Sequence, residues 1–146
     1  MLITIANKND IPALAKLFDQ YRVFYEQKTD IKKSVEFISS RLEKNDSVIF
    51  VARENAELVG FTQLYPSFSS VGMKKIWILN DLFVSPQFRR QSIAKSLMQE
   101  ALHHAKKTGA LRIDLATQVS NTLAQNLYES MGYIKNESFH HYSLLV

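Results

Sequence analysis

The sequence predicts an α/β protein built on one sheet of mixed strand direction with helices on both faces. Segments with helical spacing of apolar residues lie near both ends of the chain, and three strand-like segments follow one another in the middle. The composition, 46% hydrophobic and 22% charged, is that of an ordinary globular protein. A chain of 146 residues is long enough to bury its own core. We therefore expect residues 1–146 to form a single domain.

The N-terminal third predicts one strand and two capped helices. Residues 2–6 form a short apolar strand. Asp10 is the expected cap of the first helix, because Pro12 then falls in the first turn, where no N–H is needed. Asp30 is the expected cap of a second helix, whose apolar residues recur every three or four positions until Asn45.

The middle of the chain predicts a meander of three strands. Residues 47–53 and 58–65 are rich in β-branched and aromatic residues, and the turn formers between them indicate a hairpin. Residues 66–72 form a serine-rich connection. An apolar run over residues 76–84 then predicts a buried central strand, which Pro86 ends.

The remainder predicts two helices and three short strands, because apolar residues first recur at helical spacing and later alternate. The expected elements are a helix from Ser92 to Gly109, a strand at residues 111–117, a helix capped by Ser120 or Asn121 and ended by Gly132, and two tail strands around residues 133–134 and 139–145.

The turn that follows the central strand predicts an anion site. A helix N-terminus has backbone N–H groups without partners and carries partial positive charge, and Arg89 and Arg90 add two cations suited to phosphate. The alternative is a solvated arginine pair on a surface turn. The sequence contains neither GxGxxG nor GxxxxGK[ST], which excludes the two best-known phosphate motifs.

Two blocks of the sequence resemble the GNAT family of N-acetyltransferases. The run from Asp81 to Leu97 is similar to the family's acetyl-CoA motif, Arg/Gln-x-x-Gly-x-Gly/Ala after a strand ending in valine. The run from Asn121 to Tyr133 is similar to Asn-x-x-Ala-x-x-Leu-Tyr-x-x-x-Gly-Phe/Tyr. The likeness spans nearly the whole chain and looks closest to the histone and polyamine acetyltransferase branch. It implies a mostly antiparallel sheet of about seven strands with four helices, in which the strands ending at Val84 and Thr117 splay apart.

The resemblance also implies acetyl-CoA as cosubstrate and a set of residues that bind it. Ser92 departs from the family, because it stands where glycine is usual and lets the backbone approach the pyrophosphate. Asn121 has an alternative role as a helix cap. The implied set comprises Phe83 and Val84 along the pantetheine, Arg89, Arg90, Gln91, Ser92, Ile93, Ala94 and Lys95 around the pyrophosphate, and Asn121 on the pantetheine or a neighbouring phosphate.

Transfer to an amine requires a base, because an amine with a pKa near 10.4 costs roughly 4.6 kcal/mol to deprotonate at pH 7. Asp81, a carboxylate in an apolar strand, is the candidate base, and the alternative is that Asn80 and Asp81 satisfy backbone groups at a bulge. Tyr128 is the candidate donor to the leaving thiolate, and core packing is its alternative. The acceptor is unreadable, although acidic residues near the presumed mouth would favour a cation: Asp19, Glu26, Asp30 and Asp81.

The helices that would border the acceptor carry two further candidates, Tyr21 and Tyr25, for which core packing is the alternative suggested by their helical spacing. The function expected is acetyl transfer to a small amine, polyamine or lysine-type acceptor. The alternative is a CoA-binding regulatory module without transfer.

The composition predicts no metal and no nucleic-acid partner. There is no cysteine, the four histidines lack partners at ligand spacing, and a net charge of +4 is spread over separate basic pairs. No apolar run has the length of a membrane span, and no leader pattern begins the chain, so a soluble cytoplasmic protein is expected. A homodimer is compatible with the family resemblance, and nothing in the chain establishes it.

Overall fold

The computed structural model describes residues 1–146, which form five β-strands and four α-helices. Two compact units divide the chain, Met1–Leu115 and Ala116–Val146. None of the helices combines the length and hydrophobicity that crossing a bilayer requires. In chain order the elements are β1 Leu2–Ile5, α1 Ile11–Phe24, α2 Ile31–Lys44, β2 Val48–Glu54, β3 Glu57–Ser69, β4 Lys74–Val84, α3 Ile93–Lys107, β5 Ile113–Asp114 and α4 Thr122–Ser130.

The sheet has mixed direction, as predicted. Its strands lie in the order β1-β2-β3-β4-β5, in which the first four are antiparallel neighbours and β5 runs parallel to β4. The predicted hairpin joins β2 to β3, and its central residues Asn55 and Ala56 have φ of 48° and 69°. Such left-handed pairs match the twist of the flanking strands.

Helices cover both faces of the sheet. Phe18 of α1 packs on Phe61 of β3 with ring centroids 6.4 Å apart. On the other face, His104 of α3 lies 5.6 Å from the ring of Phe50 and 4.9 Å from that of Trp77. The residues before and after Phe50 belong to the cluster under α1 and α2, so strand alternation places α3 opposite those helices. That cluster contains Leu14, Leu17, Phe18, Ile38, Ile49, Val51, Phe61 and Phe83.

The expected count of about seven strands is wrong, because residues 131–146 contain none. Phe139, Tyr142 and Leu144 of this segment are 70%, 92% and 88% exposed. Alternation of apolar residues specifies the faces of a strand, but only a partner edge supplies its backbone hydrogen bonds. The predicted strand at 111–117 is likewise reduced to β5, which pairs with β4 through two residues.

β3 is longer than predicted and includes Pro66, which was assigned to a connection. Pairing of β3 with β2 begins at Leu64, opposite Val48, so Pro66 lies in a part of β3 that has only β4 beside it. A proline has no N–H to offer a strand neighbour, and this position does not demand one on both sides.

Candidate active site

A β-bulge interrupts β4 in its middle. Leu64 of β3 pairs with Leu79, and the preceding Gln63 pairs with Asp81, so Asn80 is an extra residue without a partner across the ladder. The pairing of β4 with β5 ends at Ile78. Beyond the bulge, β4 therefore pairs only with β3, and its other edge offers backbone groups to a ligand.

Asp81 is buried at this bulge, with 3% of its surface exposed. One carboxylate oxygen accepts a hydrogen bond from Asn80 Nδ2 at 2.9 Å, and the other accepts one from Gln63 Nε2 at 2.5 Å. Gln63 is itself fixed, because its Oε1 accepts from Ser47 Oγ at 2.8 Å. The Asp81 carbonyl accepts from Thr62 Oγ1. The carboxylate thus sits among neutral donors and takes part in no ion pair.

Two tyrosines lie close enough to Asp81 to be affected by its charge. Burial, and then the negative charge of Asp81, raise the pKa of Tyr21 far above its ordinary value and that of Tyr65 to about 12. The Tyr21 hydroxyl donates to the carbonyl of Asn80 at 3.4 Å. Both phenols therefore remain protonated near neutral pH and can donate hydrogen bonds to a bound acceptor.

The turn between β4 and α3 has the geometry of an anion site. Arg90 and Ser92 adopt left-handed φ of 65° and 61°, and α3 starts at Ile93. Ser92 makes no capping bond with its side chain, and the first helical bond runs from the Ser96 amide to the Ser92 carbonyl. The amides of the first turn are consequently without intrahelical partners. The φ of Ser92 also explains why the related motif usually has glycine at this position.

Arg89 is held at the end of β4. Its Nε donates to the Val84 carbonyl at 3.0 Å, and its guanidinium carbon lies 5.6 Å from the ring centre of Phe24 and 5.5 Å from that of Phe83. These contacts leave the two terminal nitrogens for an anion. A freely solvated arginine pair therefore does not describe Arg89, whereas Arg90 and Gln91 are exposed.

The second unit contains two of the predicted residues. Asn121 caps α4, since its side-chain oxygen accepts from the Ala124 amide at 3.2 Å. The ring of Tyr128, on α4, lies 6.2 Å from that of Tyr133, and burial, with a smaller contribution from Tyr128, raises the pKa of Tyr133 to about 12. The capping role proposed for Asn121 is confirmed.

Two of the predicted acidic residues belong to the fold of the α1–α2 connection. Asp19 is 5% exposed and accepts hydrogen bonds from Thr29 Oγ1 at 2.5 Å, the Asp30 amide at 2.7 Å and Ser34 Oγ at 3.4 Å. Burial alone would raise the pKa of Asp19, but these bonds and the nearby Arg22 lower it. Asp30 caps α2, as predicted, through the Lys33 amide. Neither carboxylate is free to attract a cationic substrate.

Sequence reasoning missed a groove between α1 and α2 of about 590 Å³. A second groove of about 580 Å³ shares Phe37 and Arg41 with it and reaches Tyr65. Lys33, Phe37 and Arg41 recur every four residues, and this spacing is the signal that places them on one face of α2. The first groove is lined by Phe18, Arg22, Lys33, Ser34, Glu36, Phe37, Ser40 and Arg41.

Comparison with known proteins identifies the family. Residues 12–133 match the model of the acetyltransferase (GNAT) family. An uncharacterized N-acetyltransferase, YhfO of Bacillus subtilis (strain 168), is 47% identical over all of this chain and 98% of its own length. The crystal structure of a probable acetyltransferase superposes with a TM-score of 0.94 at 41% identity, covering 100% of this chain and 98% of that one.

A more distant structure shares the fold. The aminoglycoside N-acetyltransferase AAC(6')-Iy, solved in complex with CoA, has a TM-score of 0.82 at 19% identity over 98% of this chain and 93% of its own. The bulged strand, the left-handed turn and the uncapped helix start thus occur in a chain that is an enzyme and belongs to the GNAT family of acetyltransferases.

Proposed function

We propose that residues 1–146 act as one domain that transfers an acetyl group directly from acetyl-CoA to a primary amine, with both substrates bound together. The observation that carries the proposal is the adjacency of an unpaired β4 edge and an uncapped helix start, with the buried Asp81 between the bulge and the turn. The CoA complex of a protein with the same fold supports this choice of cosubstrate.

Acetyl-CoA binding is assigned to the turn and the strand edge that precedes it. The diphosphate lies against the free amides of Ile93, Ala94 and Lys95, which follow Ser92 in the first turn of α3. The terminal nitrogens of Arg89 add charge-assisted hydrogen bonds. The pantetheine extends along Phe83 and Val84, where the unpaired strand edge can bond its amides, and Asn121 meets the pantetheine or a neighbouring phosphate.

The chemistry starts from an ammonium ion and ends with an amide and a thiol. Asp81 accepts the proton of the ammonium, and one water molecule connects them because the carboxylate is 3% exposed. The amine nitrogen then attacks the thioester carbonyl, the C–N bond forms and the C–S bond breaks. Tyr128 donates a proton to the departing thiolate, and the excess proton leaves to solvent.

Two measurements on the full chain test this function. Calorimetry with acetyl-CoA should show saturable binding, and a thiol-release assay with a panel of small amines, polyamines and lysine peptides should show acceptor-dependent turnover. Absence of binding up to millimolar acetyl-CoA contradicts the cosubstrate assignment. Binding without turnover of any amine favours a CoA-binding regulatory role instead.

A further inference from the structure

The two grooves on the α2 side of the molecule carry more positive than negative charge. The first contains the cations Arg22, Lys33 and Arg41 and a single carboxylate, Glu36. The second adds one carboxylate, Asp46, and shares Arg41. Such a surface attracts an anion more readily than a second ammonium ion.

Two of these cations retain donors that the fold does not use. Arg41 donates through Nε to Asp46 at 2.7 Å, and its guanidinium carbon lies 4.6 Å above the ring of Phe37. This arrangement fixes the plane of the guanidinium while both terminal nitrogens remain available for a carboxylate. The ammonium of Lys33 has no ion pair, whereas Arg22 is partly occupied by the Lys28 carbonyl at 3.0 Å.

The second groove leads toward Asp81. Tyr65 lines it, and Tyr65 lies two residues from Gln63 on the same face of β3. Gln63 bonds the Asp81 carboxylate, and the charge of that carboxylate contributes to the raised pKa of Tyr65. A groove with an anionic end near Asp81 and a cationic end at Arg41 and Lys33 matches a ligand of the opposite polarity.

We propose that the acceptor is a primary amine that also carries a carboxylate, with its amine directed toward Asp81, its carbon chain over Phe37 and its carboxylate between Arg41 and Lys33. The inference rests on the proposed function and narrows its substrate class. It replaces the expectation of a polyamine-like cation, because Asp19 and Asp30 are consumed by the α1–α2 connection.

The test uses amines that differ only in their distal group. The isotopically labelled full chain is titrated with ω-amino acids of three to eight carbons, the alkylamines of equal length and the corresponding diamines, while backbone amide resonances of α2 are followed by NMR. We expect an ω-amino acid to shift the amides of residues 33–41 with higher affinity than either partner of equal length. Tighter binding of the diamines, or no shift with any ω-amino acid, overturns the proposal.

Neighbouring lysines supply a matched control. Lys33→Gln should weaken ω-amino acid binding about threefold, the size expected for one partly exposed ion pair, and Arg41→Gln should weaken it as well. Lys32→Gln removes the same charge from an exposed residue outside both grooves and should leave binding unchanged. Equal effects of Lys33→Gln and Lys32→Gln contradict the assigned site.

Calorimetry with acetyl-CoA on the same samples separates the two proposals. Loss of the ω-amino acid preference with intact acetyl-CoA binding removes only the carboxylate assignment. Absence of acetyl-CoA binding removes the proposed transfer reaction, whichever amines bind.

Discussion

Asp19 and Asp81 are both buried carboxylates, yet their surroundings differ in kind. Asp19, in α1, accepts from one backbone amide and two hydroxyls and lies 3.7 Å from Arg22, so its charge is stabilised by the fold. Asp81, at the β4 bulge, accepts only from two side-chain amides and affects the phenol of Tyr21. Low exposure alone therefore does not distinguish a structural carboxylate from a functional one. The number and kind of donors do.

The largest effect is expected for Asp81→Asn, which removes the proposed base. Turnover should fall by about 100-fold or more, the contribution typical of general base catalysis. The acetyl-CoA affinity should not change, and the variant should stay folded because the Asn80 amide can turn its oxygen toward the new donor. Steady-state kinetics with calorimetry on the same sample measures both. Full turnover would make Asp81 a structural residue like Asp19.

The counterpart, Asp19→Asn, should act on stability and not on turnover. Its new amide group faces donors, so at least one buried hydrogen bond is lost, at a cost of about 1–3 kcal/mol in the free energy of unfolding. Urea denaturation measures the loss. A reduced turnover per folded molecule, with stability unchanged, would reverse the roles assigned to the two residues.

Asp19 also predicts a pH dependence. Its pKa in the folded protein lies below the ordinary value of 3.8, so the unfolded chain binds the proton more readily. The stability that Asp19 supplies is complete well above pH 3.8 and is lost as the pH falls through the folded pKa. Asp19→Asn should flatten this acid branch of the unfolding curve, and an unchanged slope would contradict the assignment.

A third kind of contribution is expected from Arg89, which binds but transfers no proton. Arg89→Ala should weaken acetyl-CoA binding by more than about 1 kcal/mol because charge-assisted hydrogen bonds are lost. Lys106→Ala removes a cation from the opposite end of α3 and serves as control. Calorimetry that shows equal affinities for both variants would remove Arg89 from the cofactor site.

The smallest effect is expected at Ser92. A non-glycine residue with φ of 61° is strained, so Ser92→Gly should stabilise the protein by about 0.5–1 kcal/mol and leave acetyl-CoA binding equal or stronger. Arg90→Gly relieves the same strain at φ of 65° but removes a cation. Thermal unfolding and calorimetry measure the two quantities. A large loss of affinity in Ser92→Gly would mean that the hydroxyl itself contacts a phosphate.

Local signals in the sequence predicted much of the fold. Asp30 and Asn121 cap their helices through bonds three residues away, and Pro86 ends β4, because each depends on chemistry within one turn. Asp10 shows the limit of such reasoning. It precedes α1, as predicted, but its carboxylate accepts from Arg53 of β2 at 2.8 Å, a contact between residues 43 positions apart.

The rest depended on partners that no local pattern specifies. The two tail strands were predicted from alternation, yet nothing in residues 131–146 identifies an edge for them to join. A bulge at Asn80 was one of two alternatives for the polar pair in β4, and only the register against β3 confirms it. The groove beside α2 was missed because its cations come from two helices and acquire meaning only when these pack together.

The crystal structure with a bisubstrate analogue, in which the sulfur of CoA is joined through an acetyl unit to a primary amine, tests the account most directly. We predict that the diphosphate contacts the amides of Ile93, Ala94 and Lys95, and that the amine nitrogen faces Asp81 across one water molecule. An analogue whose diphosphate binds away from this turn, or whose nitrogen points away from a still enclosed Asp81, would contradict it.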